Sequence, residues 1–230
     1  MVNVYYSFTN SRNINPFPDA VWQDPVPVLK EVAENYKSFP QFQRLMRCPS
    51  FRDSLANTYV LKSPITFDLR WNEASKLEHH WGADNGGKIF SDGLYPHIEL
   101  FTDNQPIFIA DKPVTMKVLP PSMHEDAPRY PFLGGQFDIH KWYRPVHPTF
   151  LMHRGDELSV KRGQALMYVQ FDKRVRLKRF RYSEEFDREL EHIVEARKHI
   201  PVAKMQDLYD FFALSKRKRF LLNEVKKNIL

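Results

Sequence analysis

The sequence is poor in cysteine and glycine and has no long apolar run. Its one cysteine, Cys48, cannot form an internal disulfide, which is typical of proteins in a reducing compartment. No stretch reaches the roughly 18 apolar residues of a membrane-spanning helix. The first residues, MVNVYYSFTNSRN, lack the charged-then-apolar order of a secretory signal. We therefore expect a soluble protein that is not secreted.

The motifs of nucleotide-driven enzymes and triad hydrolases are also missing. The chain has no Walker loop, no GxGxxG or GxSxG motif and no kinase signature. It also lacks CxxC and HExxH, two spacings that are typical of zinc sites. These absences leave a binding protein, or an enzyme of another class.

What is present is enough apolar material for one large domain. The chain has 230 residues, of which 42% are hydrophobic and 14% aromatic. A chain of this size buries roughly 70% or more of its unfolded surface without a disulfide or metal. Its 17 prolines against 8 glycines suit many short elements joined by rigid turns.

The stretch from Gly135 to Phe171 predicts the core of the fold. Apolar and polar residues alternate along it, and two turn signals, residues 154–156 (RGD) and 162–164 (RGQ), divide the run. A period of two broken by glycine turns is typical of short antiparallel strands. We therefore predict an α+β fold with a mainly antiparallel β-sandwich core of jelly-roll type.

Further elements are predicted before this core. A first strand is expected at residues 2–8 and short helices within residues 27–56. Residues 97–101 and 106–110 predict two strands joined by a hairpin turn at the residues between them. The segment 72–96 holds four glycines and predicts a long loop, a feature that is often functional.

After Tyr182 the apolar period changes from two to 3.6. Ser183 is a candidate N-cap, and the acidic residues at 184, 185 and 187 suit a helix N-terminus. Pro201 ends this helix, and a second helical region follows with a break predicted near Ser215. We therefore predict a β-sandwich domain over residues 1–182 and a helical appendage over residues 183–230.

His97 and Glu99 share one face of a predicted strand, because side chains two residues apart point the same way. With His147 they provide two imidazoles and a carboxylate, a set that holds non-haem Fe(II). The arrangement resembles that of iron- and 2-oxoglutarate-dependent oxygenases, whose double-stranded β-helix uses an HxD/E pair and a distant histidine. The resemblance implies Fe(II) as the metal and Arg154 as a 2-oxoglutarate ligand. The alternative is that His97 and Glu99 are half-exposed strand residues.

His79, His80 and Trp81 in the long loop are a second candidate site. Neutral imidazole is a common ligand, so these residues are candidates for ligand binding. The alternative is a solvated lid. Cys48 is interpreted as a small buried hydrophobic residue rather than as a nucleophile.

Positive charge is concentrated at the end of the chain. Residues 173–230 carry 16 Lys/Arg and 9 Asp/Glu, a net +7, whereas residues 1–172 carry 18 and 19, a net −1. Basic residues interleaved with Phe180 and Tyr182 in a strand predicted at 173–182 favour a protein or nucleic-acid partner. The alternative is that the acidic segment after Tyr182 neutralises them. The candidate partner-binding residues are Arg174, Arg176, Lys178, Arg179, Arg181, Lys216, Arg217, Lys218 and Arg219.

Segments within residues 45–175 resemble an uncharacterised protein family of tailed bacteriophages. These segments are residues 48–51 (CPSF), 57–64 (NTYVLKSP), 137–139 (FDI), 142–145 (WYRP) and 161–171 (KRGQALMYVQF). The resemblance implies a phage setting, in the host cytoplasm or the virion, and no assigned activity. The short strands also resemble a cupin or jelly roll, although the HxH metal motif of cupins is absent.

Two functions follow from these patterns. We predict a non-catalytic phage protein whose basic C-terminal strand and helices dock on a protein or nucleic acid. The alternative is an oxygenase that uses Fe(II) and 2-oxoglutarate at His97, Glu99 and His147.

Overall fold

A computed structural model describes residues 1–9, 22–71, 77–79, 87–90, 97–100, 105–125, 127, 131–141, 143–153, 155–199 and 205–230. For residue 71, the strands within 77–100 and residues 193–199, 205–206 and 208, it describes the backbone alone. The helices are α1 Val28–Asn35, α2 Pro40–Arg47, α3 Pro49–Ser54, α4 Glu184–His199, α5 Met205–Leu214 and α6 Lys216–Lys227. The strands are β1 Val2–Phe8, β2 Val26–Pro27, β3 Thr58–Lys62, β4 Phe67–Trp71, β5 Leu77–His79, β6 Gly87–Phe90, β7 His97–Leu100, β8 Pro106–Ala110, β9 Thr115–Leu119, β10 Gly135–Asp138, β11 Thr149–Leu151, β12 Glu157–Val160, β13 Ala165–Phe171 and β14 Val175–Arg179.

Two sheets face each other across the main hydrophobic core. The larger sheet has the strand order β10-β9-β13-β3-β2, and the smaller one has the order β14-β1-β8. β1 runs parallel to β14 and antiparallel to β8. Successive strand residues point to opposite faces, so alternate residues of β1 and β8 enter this core. Core residues from the two sheets include Val4, Tyr6, Phe108, Ala110, Leu61, Met116, Val118, Val169 and Phe171.

The outer face of the smaller sheet is apolar as well, and helices α4 to α6 cover it. Phe186 of α4 packs against Phe180, with 5.4 Å between the ring centroids. The shared cluster contains Tyr5, Ile107, Ile109, Tyr143 and Phe180 together with Phe186, Leu190, Phe212, Leu221 and Val225. The helices are therefore a layer packed on the sheet, and the change of element type after Tyr182 does not separate two hydrophobic cores.

The three short N-terminal helices cover the outer face of the larger sheet. Their cluster contains Val28, Val32, Phe42 and Leu55 together with Val60, Ala165 and Tyr168. The carboxylate of Glu31 in α1 forms an ion pair with Lys62 of β3 and lies 3.6 Å from Nε2 of His124. The result is four layers in the order helix, sheet, sheet, helix.

Two smaller three-stranded sheets extend this sandwich. Pro64 lies between β3 and β4, where proline cannot donate a ladder hydrogen bond, and β4 then pairs with β12 and β5. The turn between β12 and β13 contains Gly163 at φ +84°, a conformation that glycine adopts without strain. β7 pairs with β6 and with β11, which completes the fourth sheet.

The predicted fold class is confirmed. The chain is α+β and its sheets are mainly antiparallel and sandwich-like. Helices α1 to α3 follow the first two strands, and α4 to α6 form the C-terminal part of the described chain. Ser183 begins α4 as predicted, because its Oγ accepts a hydrogen bond from Phe186 N at 3.1 Å. The jelly-roll connectivity stays a prediction.

Two local predictions are wrong. β7 and β8 do not form a hairpin, since β7 pairs with β6 and β11 whereas β8 pairs with β1. The composition of a turn is a local signal, whereas the pairing of two strands depends on which hydrophobic core their apolar faces pack into. The segment 72–96 is not a plain loop either, because β5 and β6 lie within it. At three and four residues, these strands are too short for a period-two pattern to be recognised.

Replacing Leu221 by alanine tests the helical layer. Leu221→Ala is expected to lower the free energy of unfolding by about 2–5 kcal/mol, because the residue is fully buried and a cavity remains. Leu214→Ala, the same change at a residue that is 86% exposed, is expected to cost less than about 0.5 kcal/mol. Urea unfolding followed by circular dichroism measures both. Equal losses in the two variants would contradict the packing described.

Candidate basic interface

α6 presents one apolar face and one basic face. Ser215 begins it, with Oγ accepting a hydrogen bond from Lys218 N at 3.3 Å. Leu221 and Val225 point inward, one turn apart. The exposed residues Lys216, Arg219, Asn223 and Lys226 therefore follow one another along the opposite face. At 1.5 Å per residue, this row spans about 15 Å.

The cations of this row are not neutralised by the carboxylates that the structure describes. Lys216, Arg219 and Lys226 form no ion pair with any carboxylate in the described part of the chain. In the part of α4 whose side chains are described, Glu189 lies 3.8 Å from Arg217. Among these side chains, the hypothesis that α4 neutralises the basic cluster therefore holds for Arg217 and not for this row.

Aromatic and apolar side chains accompany the basic row. Phe220 is 43% exposed and lies next to Arg219 on the outward side of α6. At the C-terminal end of α5, Phe211 is 67% exposed and Leu214 is 86% exposed. Large apolar residues in a group on a surface often mark a contact site. The corner where α5 meets α6 thus combines positive charge with exposed apolar surface.

β14 and the residues next to it supply a second group of cations, some of which are exposed while others contact residues of the fold. Val175 and Leu177 pack on the main core, so Arg174 and Arg176 point outward and are exposed, as the alternation predicts. Arg181 is exposed as well. Two further candidates, Lys178 and Arg179, contact residues of the fold and are therefore less available to a partner. Lys178 lies 5.9 Å from the ring centroid of Tyr5, and Arg179 binds Asp24 at 3.0 Å and lies over Phe8.

Lys218 is not a surface residue, which corrects its prediction as a partner contact. It is 6% exposed because it lies three residues before Leu221, on the inward face of α6. Its ammonium is 2.9 Å from Nε2 and 3.3 Å from Nδ1 of His140. Burial and the charge of Lys218 lower the pKa of His140. Burial also lowers the pKa of Lys218, and Asp138 opposes that shift.

The predicted iron set is described in part. In the ladder of β7 with β11, Glu99 lies opposite Thr149 and His97 lies opposite Leu151. His147 precedes β11, next to Val146, whose N–H donates to Pro106 O at 2.8 Å at the start of β8. The side chains of His97 and Glu99 lie outside the described part, so this set stays a prediction.

His147 itself has the protonation state that a metal ligand needs. Burial, and after it the charge of Arg144, lowers the pKa of His147 to about 4. The ring is therefore neutral at neutral pH, which is the form that binds metals. Among the side chains that the structure describes, no three His, Cys, Asp or Glu residues form a group that could hold a metal ion.

The remaining candidate residues contribute no described site. His80, Trp81 and Arg154 lie outside the described residues, and for His79 the structure describes the backbone in β5. Gly155 lies in a turn at φ +88°, and His153 N donates to Asp156 Oδ2 at 2.7 Å, which agrees with the turn predicted here. Cys48 is exposed, not buried as predicted, because it occupies the junction between α2 and α3.

The pair Lys218–His140 makes a testable prediction about proton binding. Since the pKa of His140 in the fold lies below its unfolded value, its contribution to stability is present at higher pH and is lost as pH falls through the folded pKa. Lys218→Met removes the neighbouring charge, so the pKa of His140 should rise and this loss should shrink. An NMR titration of the His140 ring measures the pKa. Lys216→Met, at an exposed position on the same helix, is the control and should leave it unchanged. An unaltered pKa in Lys218→Met would contradict the contact.

Comparisons with known proteins add no assignment to this geometry. The chain matched no protein-family model, no curated protein and no solved structure. No helix in the described ranges has both the length and the hydropathy needed to cross a membrane. The resemblance of residues 45–175 to the phage family therefore stays a prediction.

Proposed function

We propose that the chain is a non-catalytic binding protein that docks on a nucleic acid through the outward face of α6. The observation that carries this proposal is the row Lys216, Arg219 and Lys226, exposed and without carboxylate partners in the described chain. Arg181, near the C-terminal end of α6, adds a further exposed cation. The bacteriophage setting belongs to the same proposal and is supported by the quoted segments alone.

The residues between the cations favour nucleic acid over an acidic protein. Phosphate oxygens accept hydrogen bonds from Lys and Arg, and neutralising phosphates releases counterions, which drives binding. The exposed ring of Phe220 can stack on a base, and the Asn223 amide can bond a base edge. An acidic protein is the alternative partner, because it would use the same cations and would also cover the apolar side chains Phe211 and Leu214.

Binding to a duplex oligonucleotide at several salt concentrations tests the proposal. The logarithm of the affinity should fall linearly with the logarithm of salt concentration, by about 0.9 per neutralised phosphate. The triple variant Lys216→Gln, Arg219→Gln, Lys226→Gln should bind more weakly and should reduce that slope by about 2 to 3. Fluorescence anisotropy with labelled DNA gives both quantities.

A matched triple variant separates this face from general positive charge. Lys37→Gln, Arg44→Gln, Arg47→Gln removes three exposed cations beside the N-terminal helices, on the far side of the sandwich. It should leave the slope unchanged. If both triple variants lose binding equally, or if an acidic peptide binds α6 and DNA does not, nucleic acid is not the partner of this face.

Metal analysis tests the oxygenase alternative. A non-catalytic protein is expected to carry no stoichiometric iron when it is purified without chelators. Inductively coupled plasma mass spectrometry measures the iron content per chain. One iron per chain that disappears in His97→Ala would replace the binding proposal with the set His97, Glu99 and His147.

A further inference from the structure

The two main sheets leave a cleft between their edges, away from the outward face of α6. β14 is the outer strand of the smaller sheet, and β2 covers β3 at two residues, Val60 and Tyr59. Beyond β2, a cleft of about 370 Å³ opens between the start of β3 and the start of β14. Its walls include Leu29, Leu55, Asn57, Tyr59, Arg174 and Arg176.

One side of this cleft is positively charged. Arg174, directly before β14, and Arg176, within it, both line the cleft. As residues two apart in an extended segment, they lie on the same side. Neither forms an ion pair in the described part of the chain. Arg174 is close enough to Tyr59 for its charge to oppose the rise in the pKa of Tyr59 that burial causes. The guanidinium of Arg174 and the phenol of Tyr59 therefore lie close together in the cleft.

The other side is apolar and has a fixed backbone. Leu29 of α1 and Leu55, after α3, line the cleft together with Tyr59. Asn57, which also lines it, has φ +55°, a left-handed conformation that asparagine tolerates better than most residues. Its carbonyl accepts a hydrogen bond from Phe171 N at 3.1 Å, and Thr58 N donates to Leu55 O at 3.3 Å. These hydrogen bonds hold the backbone at Asn57 in place before a ligand binds, which lowers the entropy cost of binding.

We propose that this cleft binds a mononucleotide, with its phosphate on Arg174 and Arg176 and its base against Tyr59 and the leucines. Guanidinium groups bind phosphate oxygens through paired hydrogen bonds. The volume lies within the roughly 300–1,000 Å³ of small-molecule sites, which combine apolar walls with a few polar groups. The nucleotide can be a free molecule or the 5′-phosphorylated end of a strand. The proposal uses none of the residues of the α6 face and goes beyond the proposed function.

Isothermal titration calorimetry with adenosine monophosphate tests the proposal on the full chain. The wild-type protein should bind the nucleotide, and Arg174→Gln, Arg176→Gln should weaken binding at least about tenfold, because two charge-assisted contacts are lost. Arg162→Gln, Arg188→Gln removes two exposed cations that do not line the cleft and is the matched control. It should bind like the wild type.

Two further ligands test whether the apolar walls contribute to binding and whether the nucleotide is a free molecule or the end of a strand. Inorganic phosphate should bind more weakly than the nucleotide, and equal affinities would overturn the proposal, because the apolar walls would then contribute nothing. A 5′-phosphorylated oligonucleotide that binds more tightly than its 5′-hydroxyl form, in a manner that needs Arg174 and Arg176, supports a strand end. A nucleotide that binds as tightly as the oligonucleotide supports the free molecule.

NMR keeps the test independent of how the variants fold. In the wild-type protein, the nucleotide should shift the amide signals of Asn57, Thr58 and Val175, which surround the cleft. No shift at millimolar nucleotide, or binding that the double variant retains, would overturn the proposal. The triple variant on α6 should still bind the nucleotide, so failure of the cleft and failure of the α6 face are separate results.

Discussion

The smaller sheet is apolar on both of its faces, and the rest of the fold depends on this constraint. Val4 and Phe108 point into the space between the sheets, whereas Tyr5 and Ile109 point away from it. Each fully buried side chain of this kind contributes roughly 1.5–3 kcal/mol. Neither face can remain in water, so one is covered by the larger sheet and the other by α4 to α6. The C-terminal helices are therefore required by the strands.

This constraint also decides which basic side chains reach solvent. Leu221 and Val225 fix the rotation of α6 on the sheet, and that rotation turns Lys216, Arg219 and Lys226 outward. The same rotation turns Lys218 inward against His140, where two basic groups compete for protons. A helix held in this way presents its charges in a fixed row, which costs less entropy on binding than a flexible basic tail does.

Much of the local structure could be predicted from the sequence, whereas strand pairing and burial within charge runs could not. Period-two and period-3.6 patterns predict which residues share a face, and the alternation of β14 is confirmed. The N-cap predicted at Ser183 from its residue type is confirmed as well. These patterns do not predict which strands pair with each other. β7 and β8, which were predicted to form a hairpin, lie in different sheets. Lys218 has the same neighbours in sequence as the exposed cations. The signal that could have found it is the stripe of Leu221 and Val225, which reaches Lys218 when it is extended back by one turn.

The shared core of helices and sheet is the central claim, and native-state hydrogen exchange tests it most directly. The amides of Leu221 and Val225 in α6 and those of Tyr5 and Ile109 in the smaller sheet should open with similar free energies, close to that of global unfolding. Amides of α6 that exchange through a much cheaper local opening, while β1 and β8 stay protected, would contradict it. The helices would then be a detachable appendage, and the basic row would have no fixed orientation.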